Sequence, residues 1–217
     1  REPSGLAVDS TGNLYICINV HDKIRKVDVT TGIISTVAGN GNSGYSSGHN
    51  GGQATSASLN SPYGIFIDSN DILYIGDYSN HVVRSVDLST GIINLVAGTG
   101  TSGYTGDGGP ATSARINKPI EIQFDSSGDM FIAELDNHVV RKVNMTTGII
   151  TTVAGTGTLG YTGDNGPAVS ARLYLPRDIV FDSQGDMYIT DRGNDAVRKV
   201  SRTDGTISTV IGGNGGG

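Results

Sequence analysis

The chain has 217 residues, of which 33 are glycine, and its formal net charge at pH 7 is −6. An acidic surface repels phosphate backbones, so the charge argues against nucleic-acid binding. The glycines follow no Gly-X-Y period, which excludes a collagen-like chain and indicates turn-rich β structure. The single cysteine allows neither an internal disulfide nor a thiolate zinc site. No apolar stretch is long enough for a membrane-spanning helix, so no membrane insertion is expected.

A repeated motif organises the chain. Each copy has a glycine turn, a β-branched run and a second glycine, which is typical of the strand that ends a repeating unit. The copies are residues 31–39, 90–98, 147–157 and the more divergent 204–212. Prolines at positions 3, 62, 119 and 176 mark the joints between units, 59, 57 and 57 residues apart. We therefore predict a single domain with units at about 3–61, 62–118, 119–175 and 176–217.

Each unit is predicted to contain four short strands. The first strand begins at Gly5, Gly64, Glu121 or Asp178 and ends in an aspartate turn of hairpin type. An aromatic residue lies in the middle of each second strand, at Tyr15, Tyr74, Phe131 and Tyr188. The third strand carries an arginine, and the glycine motif forms the fourth. No segment has a sustained apolar period of 3.6 residues, so we expect only single helical turns, at 54–59, 111–116 and 168–173.

Four strands per repeating unit is the organisation of a β-propeller blade. Residues 74–84 read Tyr-Ile-x-Asp-x-x-Asn-His-x-Val-Arg, and this motif and the Gly-Ile-Ile-x-x-Val-Ala-Gly motif resemble the NHL-repeat family. The resemblance covers essentially the whole chain and implies an all-β propeller of four-stranded antiparallel blades. Such domains usually close with six blades. Four blades then form an arc of a larger propeller, and the glycine-rich residues 212–217 resemble the start of another interblade loop.

Charged residues that recur in every unit are predicted to be structural. In three of the four units, the repeat that carries the arginine also has a carboxylate at the end of its second strand. These residues are Arg25, Arg84, Arg141 and Arg198, with Asp77, Glu134 and Asp191. Ion pairs within each blade are the expected role, and a ligand-binding ring of charge is the alternative.

The sequence predicts no catalytic residue, no metal site and no cofactor. None of the four histidines lies on an innermost strand, where a propeller enzyme would bring zinc ligands together. Loops 103–110 and 160–167 look like calcium loops, but each has one aspartate, whereas calcium takes six to eight oxygen ligands. We expect their glycines to form left-handed turns and their tyrosines to pack over the neighbouring blade. Cys17 aligns with small residues, which indicates a tight packing position rather than a reactive thiolate.

The repeat is broken where the first strand begins. Glycine in the first two units, at positions 5 and 64, is replaced by Glu121 and Asp178 in the last two. If the first strand is innermost, both carboxylates lie at one mouth of the central channel, with Gln123 deeper along its strand. Departures from a repeat are where a grafted function would appear, so these three residues are the predicted ligand-binding site. Solvated carboxylates that accept backbone hydrogen bonds are the alternative.

The expected function is a non-enzymatic scaffold that presents interblade loops to a protein or a glycan, outside the cell or at its surface. Asn144-Met145-Thr146 is the single N-glycosylation acceptor sequence, which fits that location and makes Asn144 a candidate glycosylation site. Further blades or another chain are also expected as partners. The alternative function is a propeller lyase or hydrolase with a cation held by Glu121 and Asp178. A third possibility, RNA binding, is disfavoured by the acidic charge.

Overall fold

A computed structural model describes residues 3–213. It contains four antiparallel sheets, one for each repeat, and in those residues the helical segments are all three-residue 3₁₀ turns. The predicted all-β architecture is confirmed. None of the described helical turns has the length and hydropathy needed to span a membrane. The tail predicted to start another loop lies partly outside the described residues.

The sheets, or blades, follow one another along the chain. The first consists of β1 (Pro3–Val8), β2 (Leu14–Ile18), β3 (Lys23–Val27) and β4 (Ile34–Ala38). The second consists of β5 (Gly52–Gln53), β6 (Ile65–Ile67), β7 (Ile72–Asp77), β8 (Val82–Asp87) and β9 (Ile92–Ala97). The third consists of β10 (Pro119–Phe124), β11 (Met130–Glu134), β12 (Val139–Val143) and β13 (Ile150–Ala154). The fourth consists of β14 (Gly166–Pro167), β15 (Pro176–Phe181), β16 (Met187–Asp191), β17 (Ala196–Val200) and β18 (Thr206–Gly212).

Two blades have a fifth strand that the repeat pattern did not predict. The loop arriving from the preceding blade adds β5 to the outer edge of β9, and another such loop adds β14 to β18. Each added strand has two residues and supplies backbone partners to an otherwise open edge. The predicted helical turns are found as 3₁₀ turns at Ala54–Ser56, Ala111–Ser113 and Ala168–Ser170.

The core lies between blades rather than within one. The innermost strands lie side by side around the channel: β1 beside β6, β6 beside β10, and β10 beside β15. Three clusters of buried apolar side chains fill the three spaces between successive blades. Cys17 is fully buried in the first of these, and its thiol donates to the Pro62 carbonyl at 3.0 Å. Burial raises the pKa of this thiol to about 12, so it packs as an apolar group.

Both ends of the series of blades expose apolar side chains. Leu6 on β1 is 63% exposed, whereas Ile65, at the same position of the second blade, is 5% exposed. On the fourth blade, Val180 and Ile211 are 52% and 67% exposed. Within residues 3–213, β15 and β1 do not pack together as the other neighbouring inner strands do. The described blades therefore form an open arc.

Candidate functional site

The repeats differ from one another at two consecutive positions where each innermost strand begins. These pairs are Ser4–Gly5, Tyr63–Gly64, Ile120–Glu121 and Arg177–Asp178. Six of these eight residues, all but the two glycines, line a cavity of about 330 Å³ together with Thr190. We call this cavity the channel mouth. Glu121 and Asp178, predicted from the broken repeat, thus lie in the same cavity. Gln123 lines a separate cavity of about 240 Å³ deeper along β1, β6 and β10.

The glycines at this level are required by close contact between blades. A Cβ at Gly5 would lie 2.6 Å from the carbonyl oxygen of Tyr63, and one at Gly64 would lie 2.5 Å from that of Ile120. The same Cβ at Gly64 would be 3.0 Å from the Glu121 carboxylate. Gly64 therefore leaves the space into which the Glu121 side chain extends.

The two carboxylates differ in environment. Burial, reinforced by the charge of Asp178, raises the pKa of Glu121 to about 7. Asp178 is exposed, and its Oδ1 accepts a hydrogen bond from the backbone N–H of Ile179 at 2.8 Å. Its own N–H donates to the Thr190 hydroxyl at 2.8 Å. Asp178 thus makes the backbone contact expected of a loop-end carboxylate, while Glu121 changes charge near neutral pH.

An aromatic and a cationic side chain connect opposite sides of the channel mouth. Arg177 of the fourth blade donates to the Tyr63 hydroxyl of the second blade, and its guanidinium lies 5.4 Å from the centre of the Tyr63 ring. The Tyr78 ring is a further neighbour of Tyr63, at 6.0 Å between centroids. Sequence reasoning missed Arg177 and Tyr63. Arg177 directly precedes Asp178, where the glycine of the repeat is lost, whereas Tyr63 precedes a retained glycine, so the repeat gave a signal for Arg177 alone.

The recurrent arginines form the expected ion pairs inside the blades. Arg141 lies 3.6 Å from Glu134, and Arg198 lies 3.5 Å from Asp191, all four side chains being fully buried. Burial raises the pKa of Glu134 to about 7 even beside this arginine. The two loops considered for calcium direct their aspartates to the same arginines, Asp107 to Arg141 and Asp164 to Arg198.

Among residues 3–213, no three His, Cys, Asp or Glu side chains lie close enough together to hold a metal ion. At the channel mouth, Glu121 and Asp178 are the two carboxylates that line the cavity. The cation-dependent lyase or hydrolase considered above would need further ligands from elsewhere.

No protein-family model matches the chain. Human NHL repeat-containing protein 2 is 27% identical over 236 residues, which cover 97% of this chain and 31% of that protein. Human Teneurin-1 is 26% identical over 231 residues, covering 97% of this chain and 8% of that protein. Their similarity over nearly the whole chain supports an NHL-repeat family for it. The chain spans less than a third of the length of these curated relatives.

Solved structures share the propeller fold. An auxiliary nutrient binding protein from Bacteroides ovatus superimposes with a TM-score of 0.71 at 23% identity, over 97% of this chain and 49% of that one. A virginiamycin B lyase from Staphylococcus aureus gives 0.59 at 17% identity, over 95% and 54%. At these identities the comparison concerns the fold alone. It agrees with the β-propeller architecture of the four blades.

Two histidines of the NHL repeats have a structural role. The Nδ1 atoms of His81 and His138 accept hydrogen bonds from the backbone N–H groups of Lys118 and Leu175 at 3.2 Å. Both donors directly precede the first strand of the next blade and have left-handed backbones, with φ of 51° and 54°. Burial lowers the pKa of both imidazoles, which favours the neutral form that can accept this bond. These two hydrogen bonds connect each blade to the strand that begins the next.

Asn144 lies in the turn before β13, half-buried. Its Oδ1 accepts hydrogen bonds from the Thr147 N–H at 2.8 Å and from the Thr147 hydroxyl at 2.9 Å. Asp28 and Asp87 accept the equivalent backbone hydrogen bond, from the N–H groups of Thr31 and Thr90, in the first two blades, so Asn144 belongs to a repeated turn. Its glycosylation stays a prediction.

Proposed function

We propose that the four NHL blades are a non-enzymatic interaction scaffold whose channel mouth binds a partner protein. The observation that carries this proposal is the position of the repeat differences. Each blade keeps its arginine, its turn aspartate and its glycine motif, yet the first of the two channel-mouth positions differs in all four blades and the second is glycine in only two of them. Selection for the fold alone would make these positions as uniform as the rest of the repeat.

The charges at the channel mouth favour a cationic group on the partner. Glu121 and Asp178 lie on adjacent blades, and repulsion from Asp178 contributes to the raised pKa of Glu121. A lysine or arginine side chain between them would relieve this repulsion and stabilise the ionised form of Glu121. Arg177 lines the same cavity, but among residues 3–213 it forms no ion pair with Glu121. Its guanidinium instead donates to Tyr63.

A protein partner is favoured over a glycan. The ring of Tyr63 already has Arg177 and Tyr78 as neighbours. It therefore does not offer the free aromatic face on which a sugar ring stacks. We propose an extracellular partner because residues 144–146 form an N-glycosylation acceptor sequence, and Thr146 within it is exposed.

Selection from a random peptide library tests the recognition site. Peptides selected on the chain are expected to be enriched in lysine or arginine, and the double variant Glu121→Gln, Asp178→Asn is expected to lose them. The matched control is Asp204→Asn, which removes a carboxylate from the turn between β17 and β18, outside the channel mouth. Peptides without a cationic residue, or equal binding to the double variant, would contradict the proposal.

The enzymatic alternative makes a different prediction about metal content. A propeller lyase or hydrolase with a cation at the channel mouth would contain a stoichiometric, tightly bound metal after purification. The scaffold proposed here contains none. Elemental analysis of the purified chain distinguishes the two, and a bound transition metal that Glu121→Gln removes would establish the alternative.

We also propose that the two open ends of the arc are covered by further blades or by another chain. The exposed positions on the first and fourth blades are those that fill the spaces between blades elsewhere. Ala38, Ala97 and Ala154 are fully buried against the following blade, whereas Ile211 at the same position of the fourth blade is exposed. A face of this kind is suited to packing on another sheet.

A further inference from the structure

The buried arginine of the second blade lacks the partners that its counterparts have. In the third blade, Arg141 donates to the Asp107 carboxylate and to the Arg115 carbonyl. Arg84 is equally buried, but none of its three guanidinium nitrogens has a hydrogen-bond partner among residues 3–213. The Asp77 carboxylate lies 4.0 Å away, beyond hydrogen-bonding distance.

The fourth blade repeats the arrangement of the third. Arg198 donates to the Asp164 carboxylate at 2.8 Å and to the Thr162 carbonyl at 3.1 Å. Two blades of the three with a buried arginine therefore place a loop carboxylate on it. Burying a guanidinium without such a partner is unfavourable, so the second blade is the exception that requires an explanation.

The difference arises at one position of the interblade loop. The N–H groups of Gly51 and Gly108 donate to the carbonyls of Ile93 and Ile150, which are equivalent in their blades. Counting back one residue from each glycine places Asn50 where the third blade has Asp107. An asparagine amide cannot neutralise the arginine. The Oδ1 atom of Asn50 is itself buried and has no hydrogen-bond partner in the described chain.

The surroundings of Arg84 leave its charge uncompensated. Burial raises the pKa of Asp77 to about 7, so this carboxyl is only partly ionised at neutral pH. The Tyr45 ring lies 5.5 Å from the guanidinium and contributes a cation–π contact, which is weaker than a carboxylate. The loop residues that follow Tyr45, at Ser46, Ser47 and Gly48, are exposed.

We propose that the second blade binds a small monovalent anion, such as chloride or formate, at Arg84 beneath the loop that carries Asn50. The anion takes the role that the Asp107 and Asp164 carboxylates have in the next two blades. Replacing aspartate by asparagine favours this exchange in two ways. It removes a charge that would repel the anion, and it supplies an N–H donor. The anion is then a structural component of the junction between the first two blades.

The test compares the melting temperature of the full chain in sodium chloride and in sodium gluconate at equal ionic strength. Chloride binding to the folded state is expected to raise the melting temperature by about 3 °C or more relative to the bulkier gluconate anion. Asn50→Asp supplies the carboxylate within the chain, so it is expected to abolish the chloride effect and to raise the melting temperature in gluconate. Equal melting temperatures in the two salts, or an unchanged chloride effect in Asn50→Asp, would overturn the proposal.

A matched variant and a direct observation complete the test. Asp107→Asn reproduces the second-blade arrangement in the third blade and is expected to enlarge the chloride effect. Crystals of the chain grown in bromide are expected to show an anomalous peak within hydrogen-bonding distance of the Arg84 guanidinium. Bromide peaks confined to other places would contradict the site even if the melting temperatures differ.

Discussion

At the scale of single residues, Glu121 is placed where it costs stability. Its pKa is raised from 4.5 to about 7, because burial and the charge of Asp178 disfavour its ionised form. The folded protein therefore holds this proton more tightly than the unfolded chain. As pH rises from about 4.5 through 7, ionisation of Glu121 lowers the free energy of unfolding. A carboxylate that destabilises the fold and is replaced by glycine in two of the four repeats is better explained by recognition than by stability.

Glu121→Gln is expected to raise the melting temperature at pH 8, by about 2 °C or more, and to leave it nearly unchanged at pH 5. The gain appears only at high pH because the glutamine mimics the protonated carboxyl. Glu134 and Asp77 also have a raised pKa of about 7, so the variant keeps part of the pH dependence. Circular dichroism melts at the two pH values measure this. A loss of stability at pH 8 would show that the Glu121 charge is compensated in the fold.

At the scale of elements, the interblade loop is a structural clamp rather than a flexible connection. Its tyrosine lies over the arginine of the following blade, with Tyr104 at 5.6 Å from Arg141, and its aspartate binds the same guanidinium. The Tyr104 hydroxyl is also 2.7 Å from that of Thr152. The loop thereby neutralises the buried arginine of the blade that follows it and contacts the outermost strand of that blade.

Asp107→Ala is expected to lower the free energy of unfolding by about 3 kcal/mol, because it leaves the buried Arg141 without its carboxylate. The matched control is Asn50→Ala, at the same loop position of the second blade, where no arginine contact is lost. In gluconate this control is expected to change stability by less than about 1 kcal/mol. Urea unfolding measures both. Equal costs for the two substitutions would mean that the carboxylate contributes nothing specific to the clamp.

The sequence predicted these elements where they repeat and missed them where they do not. Because each strand occurs in four copies, the repeats could be aligned residue by residue, and Glu121 and Asp178 stood out where the first two repeats have glycine. The two-residue strands β5 and β14 contain Gly52 and Pro167, residue types disfavoured in strands, and they form through tertiary pairing alone. The contact between Tyr63 and Arg177 spans 114 positions and has no second copy, so no pattern in the sequence indicates it.

At the scale of the whole molecule, the arc exposes an apolar face at each end, and the two faces are of the kinds that pack against each other between blades. The first blade exposes the face that receives a preceding blade, with Leu6 and Val8, and the fourth exposes the opposite face, with Val210 and Ile211. The same two kinds of face meet at each of the three junctions within the arc. The first blade of one copy therefore offers a surface suited to the fourth blade of another.

The isolated 217-residue chain is expected to self-associate in a concentration-dependent manner, through these two faces. Leu6→Lys combined with Ile211→Lys is expected to reduce the association, because both side chains are exposed and a lysine there does not disturb the core. Light scattering over a range of concentrations measures it. A monodisperse, cooperatively melting monomer would favour a closed four-bladed ring and contradict the open arc.

The most direct test of the proposed recognition site is the affinity of a selected lysine-containing peptide, free of histidine, measured by calorimetry at pH 6 and pH 8. Since the peptide binds the ionised form of Glu121, whose pKa in the free chain is about 7, binding is expected to be about tenfold tighter at pH 8. In Glu121→Gln the affinity is expected to be weaker and the same at both pH values. Equal affinity of the unaltered chain at pH 6 and pH 8, or a pH dependence that survives in Glu121→Gln, would contradict recognition at the channel mouth.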